Sequence, residues 1–506
     1  MADTGSLYPI TCKPGIQRDG TRYIKINYID GIWCRFMRGN PRKMGGYIQI
    51  IGNLPNIVRK IILTTQVPYY QVYLGDFQTL KYQTIDQDGI AVGGLIDRTP
   101  AGFLVSNDNI WQFDILYSTV SNANLLIAHA GQNLSFIDNT VETPVYSGSL
   151  SLNTPLTPTG FNVSGGIAVL NPFLFMFGND GQIIISNAND PTTSLLTARI
   201  SSQKIVFGLP TRGGNSSPAG LLWTLNSLIR VTQAGVNNVT SFRFDTVQGE
   251  TSILSTSSII EYDKFFYWAG VDRFFYYNGV VNELPNDMNL LYFFQHLNFA
   301  QRQKVWATKV PQFGEIWWHY PSDGSTECNK TVIFNVRENT WYDTPIGRAA
   351  GYYDQVFAFP IWSDNVANAG TYSLWLHEPT NVYDQIVNNV YTAIPFAYET
   401  SDIAFVAQGP MNTGWMGRDK TVDLYSIEPD FWLQTGNLDV IINGSAYAQS
   451  TTETSVYLNA LTPITERFDL REQRRYMTIR FESNAVGSFS EMGQLLLKLR
   501  FGDSRP

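Results

Sequence analysis

Charge is the first thing this sequence is short of. Asp, Glu, Lys and Arg make up 15% of the residues, against roughly 25% in an ordinary soluble domain. Long solvated helices and charged disordered tails have little to be built from here. Cysteine is nearly absent as well. Cys12, Cys34 and Cys328 are odd in number, far apart and without a Cys-x-x-Cys pair. That spacing excludes a disulfide framework and is simplest to reconcile with synthesis in a reducing cytoplasm. Histidine is scarce: His129, His296, His319 and His377 fall at neither His-x-His nor His-x-x-x-His spacing, so no zinc centre is expected. No apolar run approaches the ~18 residues of a membrane helix, and residues 1–12 lack the basic-then-apolar pattern of a leader. A P-loop, a dinucleotide fingerprint and a Gly-x-Ser-x-Gly elbow are also missing.

What is present is apolar and aromatic. Hydrophobic residues reach 44% and aromatics 14% of 506 residues, enough for a sizeable core and two or more domains. Low charge with many aromatics and neutral polar residues suits an all-β protein with large contact surfaces. The stretch FFYWAGVDRFFYYNGVVNELP, residues 265–285, reads as three strands of a meander, with a turn at Gly270 and another at Asn278-Gly279. Similar units turn at Gly75, Gly131, Gly178, Asn226, Asp323 and Asn365, and the central ones are spaced by about 45 residues. That period is the signature of propeller blades.

The pattern predicts a β-propeller of about six or seven blades over residues 56–392, preceded by an arm and hairpin over 1–55. Between two of the blade units, Leu290, Phe293, Phe294 and Leu297 follow helical spacing, which predicts one short inserted helix with Asn286 or Asp287 as its cap. Residues 393–506 change texture and predict a separate β-sandwich-like domain. In its segment YMTIRF, Met477, Ile479 and Phe481 alternate with Tyr476, Thr478 and Arg480.

Candidate chemistry is thin. RFMRGNPRKMGG places Arg35, Arg38, Arg42 and Lys43 beside Gly45 and Gly46. Because the glycine pair leads into a strand and not a helix, the reading is a solvated or subunit-contacting hairpin with the glycines serving its turn. Propellers can carry a glycosidase carboxylate pair, for which Glu261, Asp263, Asp272 and Glu315 are the candidates, with solvated turn acids as the alternative. The aromatic runs around Trp268, Phe274 and Trp317 could stack on sugars, with about half of each run expected in the core. Arg471, Arg474, Arg475, Arg480 and Arg500 form a basic group that could meet an acidic partner or DNA phosphates, or stay solvated. The net charge of -8 disfavours wholesale nucleic-acid binding. No catalytic, cofactor or metal residue is assigned.

Three stretches together resemble the tail nozzle, or tail hub, proteins of short-tailed bacteriophages. YIDGIWCRFMRGNPRKMGGY looks like the opening element of that family. FFYWAGVDRFFYYNGVVNELP, followed by EIWWHYPS and TVIFNVRENTWYD, is similar to its blade order. IEPDFWLQTG with DLREQRRYMTIRFESNAVGSFSEMGQLLLKLRFGDSR is similar to its C-terminal β domain, although the ending FGDSRP departs from the family's Gly-x-Arg. The resemblance covers most of the chain through diffuse motifs. It implies a structural virion protein without a cofactor, forming a hexameric ring below portal and adaptor. The ring would carry tail fibres or spikes and let double-stranded DNA pass during genome ejection, with Arg35, Arg38, Arg42 and Lys43 at a subunit or adaptor contact. An acidic wall would not trap passing phosphate. A glycan-binding or glycan-degrading propeller is the competing expectation.

Overall fold

A computed structural model describes residues 5–10, 12–21, 25–66, 68–99, 103–107, 109–119, 122–130, 135–138, 163, 165–211, 218–236, 239–353, 359–403, 420–447, 449–450 and 454–504. The fold is all-β, and one four-stranded meander after another accounts for most of it. The first comprises Val58–Gln66, Tyr69–Asp76, Leu80–Ile85 and Ala91–Asp97. The second has three described strands, Gln112–Ser118, Ala123–His129 and Ser135–Asp138. The third runs Gly166–Leu170, Phe173–Phe177, Gln182–Asn187 and Asp190–Arg199, and the fourth Ile205–Pro210, Ala219–Thr224, Ser227–Val236 and Val239–Gly249. The fifth is Ile259–Tyr262, Phe265–Ala269, Phe274–Tyr277 and Val281–Glu283, and the sixth Trp306–Val310, Glu315–Tyr320, Lys330–Asn335 and Thr340–Thr344.

These strands read as continuous apolar runs because both faces of each sheet are covered. In Gln182–Asn187, Ile183 and Ile185 pack with Leu222, Ile229 and Val231 of the fourth sheet. Ile184, pointing the other way, packs with Leu116, Leu125 and Ile127 of the second. The opening strands of the sheets gather at the centre. Val58–Gln66 touches Gln112–Ser118, which touches Gly166–Leu170, which touches Ile205–Pro210; Ile259–Tyr262 touches Trp306–Val310. Trp223 and Trp268 bridge the fourth and fifth sheets, and the Trp306 indole donates to the Arg348 carbonyl at 2.7 Å, leading into the next sheet. The arrangement is a β-propeller. Most of the expected turns, at Gly178, Asn226, Gly270, Asp323 and Asn365, lie in the loop between second and third strands. Gly75 is inside a strand instead, and Gly131 lies outside the described residues.

The last propeller sheet is mixed. Gly351–Tyr352, Ile361–Ser363 and Tyr372–His377 are followed by Tyr47–Leu54 from the other end of the chain, then by Gln385–Val387 and Val390–Thr392. Tyr47–Leu54 pairs antiparallel with Tyr372–His377 and parallel with Gln385–Val387. Gly351–Tyr352 touches Val58–Gln66, so the ring closes.

The C-terminal region is a sandwich of two sheets. One runs Phe468–Arg474, Lys420–Thr435, Phe489–Ser504, Asn40–Lys43 and Cys34–Met37, with Ser6–Ile10 also on Phe489–Ser504. The other runs Thr454–Leu461, Leu438–Ser445, Tyr476–Ser483, Phe396–Glu399 and Asp30–Ile32. Met477, Ile479 and Phe481 lie in one core with Val422, Leu424, Leu495 and Leu497, as their alternation requires, and that core continues into Trp317, Trp362 and Trp375 of the propeller. Of residues 1–55, expected as an arm and hairpin, Cys34–Met37 and Asn40–Lys43 form a hairpin, Lys13–Ile16 and Asn27–Tyr28 pair in a parallel sheet of their own, and the remaining strands enter the sandwich sheets and the last propeller sheet. The helix spans Leu290–His296 and is followed by a 3-10 turn, Phe299–Lys304. Its cap is Asn289, not Asn286 or Asp287, and the Asp19 carboxylate takes the Leu291 and Tyr292 amides at 2.8 and 2.9 Å.

Candidate functional site

The basic hairpin lies mostly inside the molecule. Arg35, between Cys34 and Phe36 on a strand shared with the sandwich, is 1% exposed. Its guanidinium grips Glu315 at 2.8 and 3.1 Å and Glu378 at 2.8 and 2.6 Å, and its face covers the Phe313 ring at 3.6 Å. Burial works against the charge, but the two carboxylates outweigh it and hold Arg35 protonated. Glu315 also accepts from the Tyr342 hydroxyl at 2.5 Å and the Trp317 indole at 2.8 Å, and Glu378 accepts from the Gly45 amide at 2.9 Å. The Lys43 ammonium is buried and donates to the Ser488 carbonyl at 2.8 Å. Neither Arg35 nor Lys43 reaches a surface, which corrects the expectation of a subunit or adaptor contact for these two. The reason is that the acids and carbonyl matching them come from distant parts of the chain. Arg42 is half-buried against Glu491 at 3.1 Å, and only Arg38 is exposed.

The turn of this hairpin is at Arg38 and Gly39, both with positive φ. Gly45 and Gly46 serve close approach instead. A Cβ on Gly46 would stand 2.2 Å from the Asp384 carbonyl oxygen, and one on Gly45 2.4 Å from a Glu378 carboxylate oxygen.

The four candidate acids do not converge. Glu315 is committed to Arg35. Asp272 is exposed beside Arg273 at 2.8 Å, and Asp263 occupies a positive-φ turn position. Glu261 holds Lys309 at 3.2 Å. Among the histidines, His319 and His377 are fully buried, held neutral by burial and then by the nearby Arg348 charge. His319 lies on the Trp306 ring at 4.3 Å and bonds Thr331 at 2.6 Å; His377 accepts from Arg348 at 3.2 Å. His296 bonds its own helix at the Tyr292 carbonyl, and His129 is buried in the second sheet. Burial pushes the Cys34 thiol up to about 12 and raises those of Cys12 and Cys328. No group of His, Cys, Asp and Glu among the described residues is placed to hold a metal ion. No described helix is long and apolar enough to cross a membrane.

The aromatic runs are more buried than the expected half. Trp268, Phe274, Trp317, Trp318 and Tyr320 are all at or below 1% exposure, because each sheet is packed on both faces: Trp317 joins the core shared with the sandwich, Trp318 the one beside the helix. The C-terminal arginines are spread out. Arg471 is exposed, Arg474 pairs with Glu472 at 3.0 Å, and Arg475 lies over the Tyr447 and Tyr476 rings. Arg480 ties Glu482 at 2.7 Å and also Asp30, and Arg500 pairs with Asp423 at 3.1 Å.

Polar groups do meet at the propeller axis, where sequence reading singled out only Glu261. The opening strands of six sheets line a cavity of about 270 Å³, walled by Phe113, Phe207, Leu209 and Ile259 and carrying Lys60, Lys309, Glu261 and Thr256. Lys60 gave no signal in the sequence: it stands beside Arg59 in a strand whose other residues are mainly apolar.

No family model and no curated protein matches the chain. Among solved structures, the chain is similar to one from a "Crystal Structure of Mitotic Checkpoint Complex" at 11% identity and a TM-score of 0.36, over 65% of this chain and 94% of that one.

Proposed function

We propose that the chain is a non-catalytic structural subunit of a virion, of the tail nozzle type, acting by assembly and as a conduit for genome ejection. One observation carries this reading. The four candidate acids stand apart from one another, and His319 and His377 are packed inside, while large apolar side chains stand out on the surface. Trp432 and Leu433 are 77% and 45% exposed on the strand Lys420–Thr435, and Ile464 is 88% exposed nearby in sequence. A protruding aromatic anchor is what interface energetics favours. A cyclic ring needs a heterologous contact of this kind, one face of each copy on a different face of the next. The adaptor, the tail fibres and the six-fold count come from the sequence resemblance, and so does placement in the tail of a virion.

The purified full-length chain is expected to form six-fold rings, seen by negative-stain imaging and by mass in solution. Trp432→Ser with Leu433→Ser should shift it towards monomer while leaving its thermal midpoint within a few degrees. A stable monomer that binds or cleaves a bacterial polysaccharide would establish the glycan reading in its place.

A further inference from the structure

We propose that the axial cavity of the propeller binds a small free oxyanion, a carboxylate or a phosphate, on the Lys60 ammonium. The neighbouring cations are all matched: Arg59 and Lys304 share Glu327, and Lys309 is held by the Glu261 carboxylate at 3.2 Å and the Glu261 carbonyl at 2.7 Å. Lys60 has no acid within ion-pair distance and no hydrogen-bond acceptor among the described residues. Among the described residues, the charged groups lining the cavity, Lys60, Lys309 and Glu261, leave one cation in excess.

The surroundings make that excess costly. Ile62, Phe113, Phe207 and Leu209 are apolar, and the half-buried Lys60 ammonium beside such walls loses part of its hydration. Burial alone pulls Lys60 down to about 8. An oxyanion in the cavity would accept from the Lys60 ammonium and return the hydrogen bonds that its apolar neighbours cannot. At about 270 Å³ the space is smaller than the pockets that hold drug-sized ligands.

The test uses the full-length protein, with inorganic phosphate and acetate as probes and chloride at matched ionic strength as control. A saturating rise in the melting midpoint with phosphate or acetate, absent with chloride, is expected; which probe acts identifies the oxyanion. Lys60→Met should lose the rise while melting no lower than the unsubstituted protein without anion. An equal rise in Lys60→Met, or none in the unsubstituted protein, overturns the site. Should Lys60→Met not fold, the unsubstituted protein still decides. Acetylation of Lys60, followed by peptide mass, is expected to run about tenfold slower at ten times the half-saturating anion concentration, and an unchanged rate rejects the proposal.

Discussion

Arg35 is a cation with no access to water, so its stability rests on Glu315 and Glu378. Removing one member of such a buried set strands the opposite charges. Arg35→Met is therefore expected to cost about 3–5 kcal/mol, read as a lower urea midpoint; a loss within experimental error would mean the site is wetter than described. Replacing all three residues by apolar ones of similar size should restore much of that loss. Asp114 behaves differently. Its carboxylate accepts from the Val169 amide at 2.8 Å and the Ile115 amide at 2.9 Å, yet burial pushes it up to about 6. Raised above its unfolded value, it makes the folded state bind the extra proton between about pH 4 and 6. Its contribution is therefore favourable at the acid end and is lost as pH rises through 6. Asp114→Asn should flatten that part of the stability-against-pH curve; an unchanged curve would assign the slope to other groups.

The helix Leu290–His296 is only 7 residues long and has no side-chain cap of its own. Helices this short are marginal in isolation, and this one borrows Asp19 from the N-terminal segment to satisfy two of its free amides. Asp19→Ala is expected to cost about 1 kcal/mol, measured by denaturant unfolding, while Asp19→Asn should cost less because it keeps an acceptor. The helix itself was legible from the spacing of Leu290, Phe293 and Leu297, whereas its cap was not, because Asp19 is 272 residues from Leu291. The same division runs through the molecule. Turn dipeptides and apolar runs are local, so the meanders and their repeat could be read directly. Arg35 finds its acids 280 and 343 residues away, and no local pattern distinguishes a matched cation from a solvated one. The strands Asp30–Ile32, Cys34–Met37 and Tyr47–Leu54 lie close in sequence but enter three different sheets. Lys60 escaped notice for a related reason: its isolation depends on which sheets surround the axis.

Propeller and sandwich are joined by a common core, by the Arg35 ion pairs and by N-terminal strands lent to both. Units coupled in this way should unfold together. A single calorimetric transition is expected, and two separated transitions, one per lobe, would mean that the shared core contributes little. The strand Tyr47–Leu54 has its antiparallel partner in Tyr372–His377. On the ribosome, where chains grow by roughly 5–20 residues per second, the earlier strand leaves the exit tunnel long before its mate exists. The nascent chain must carry an open β edge through most of its own translation, and the cell has to keep that edge from annealing to a neighbour on the same polysome.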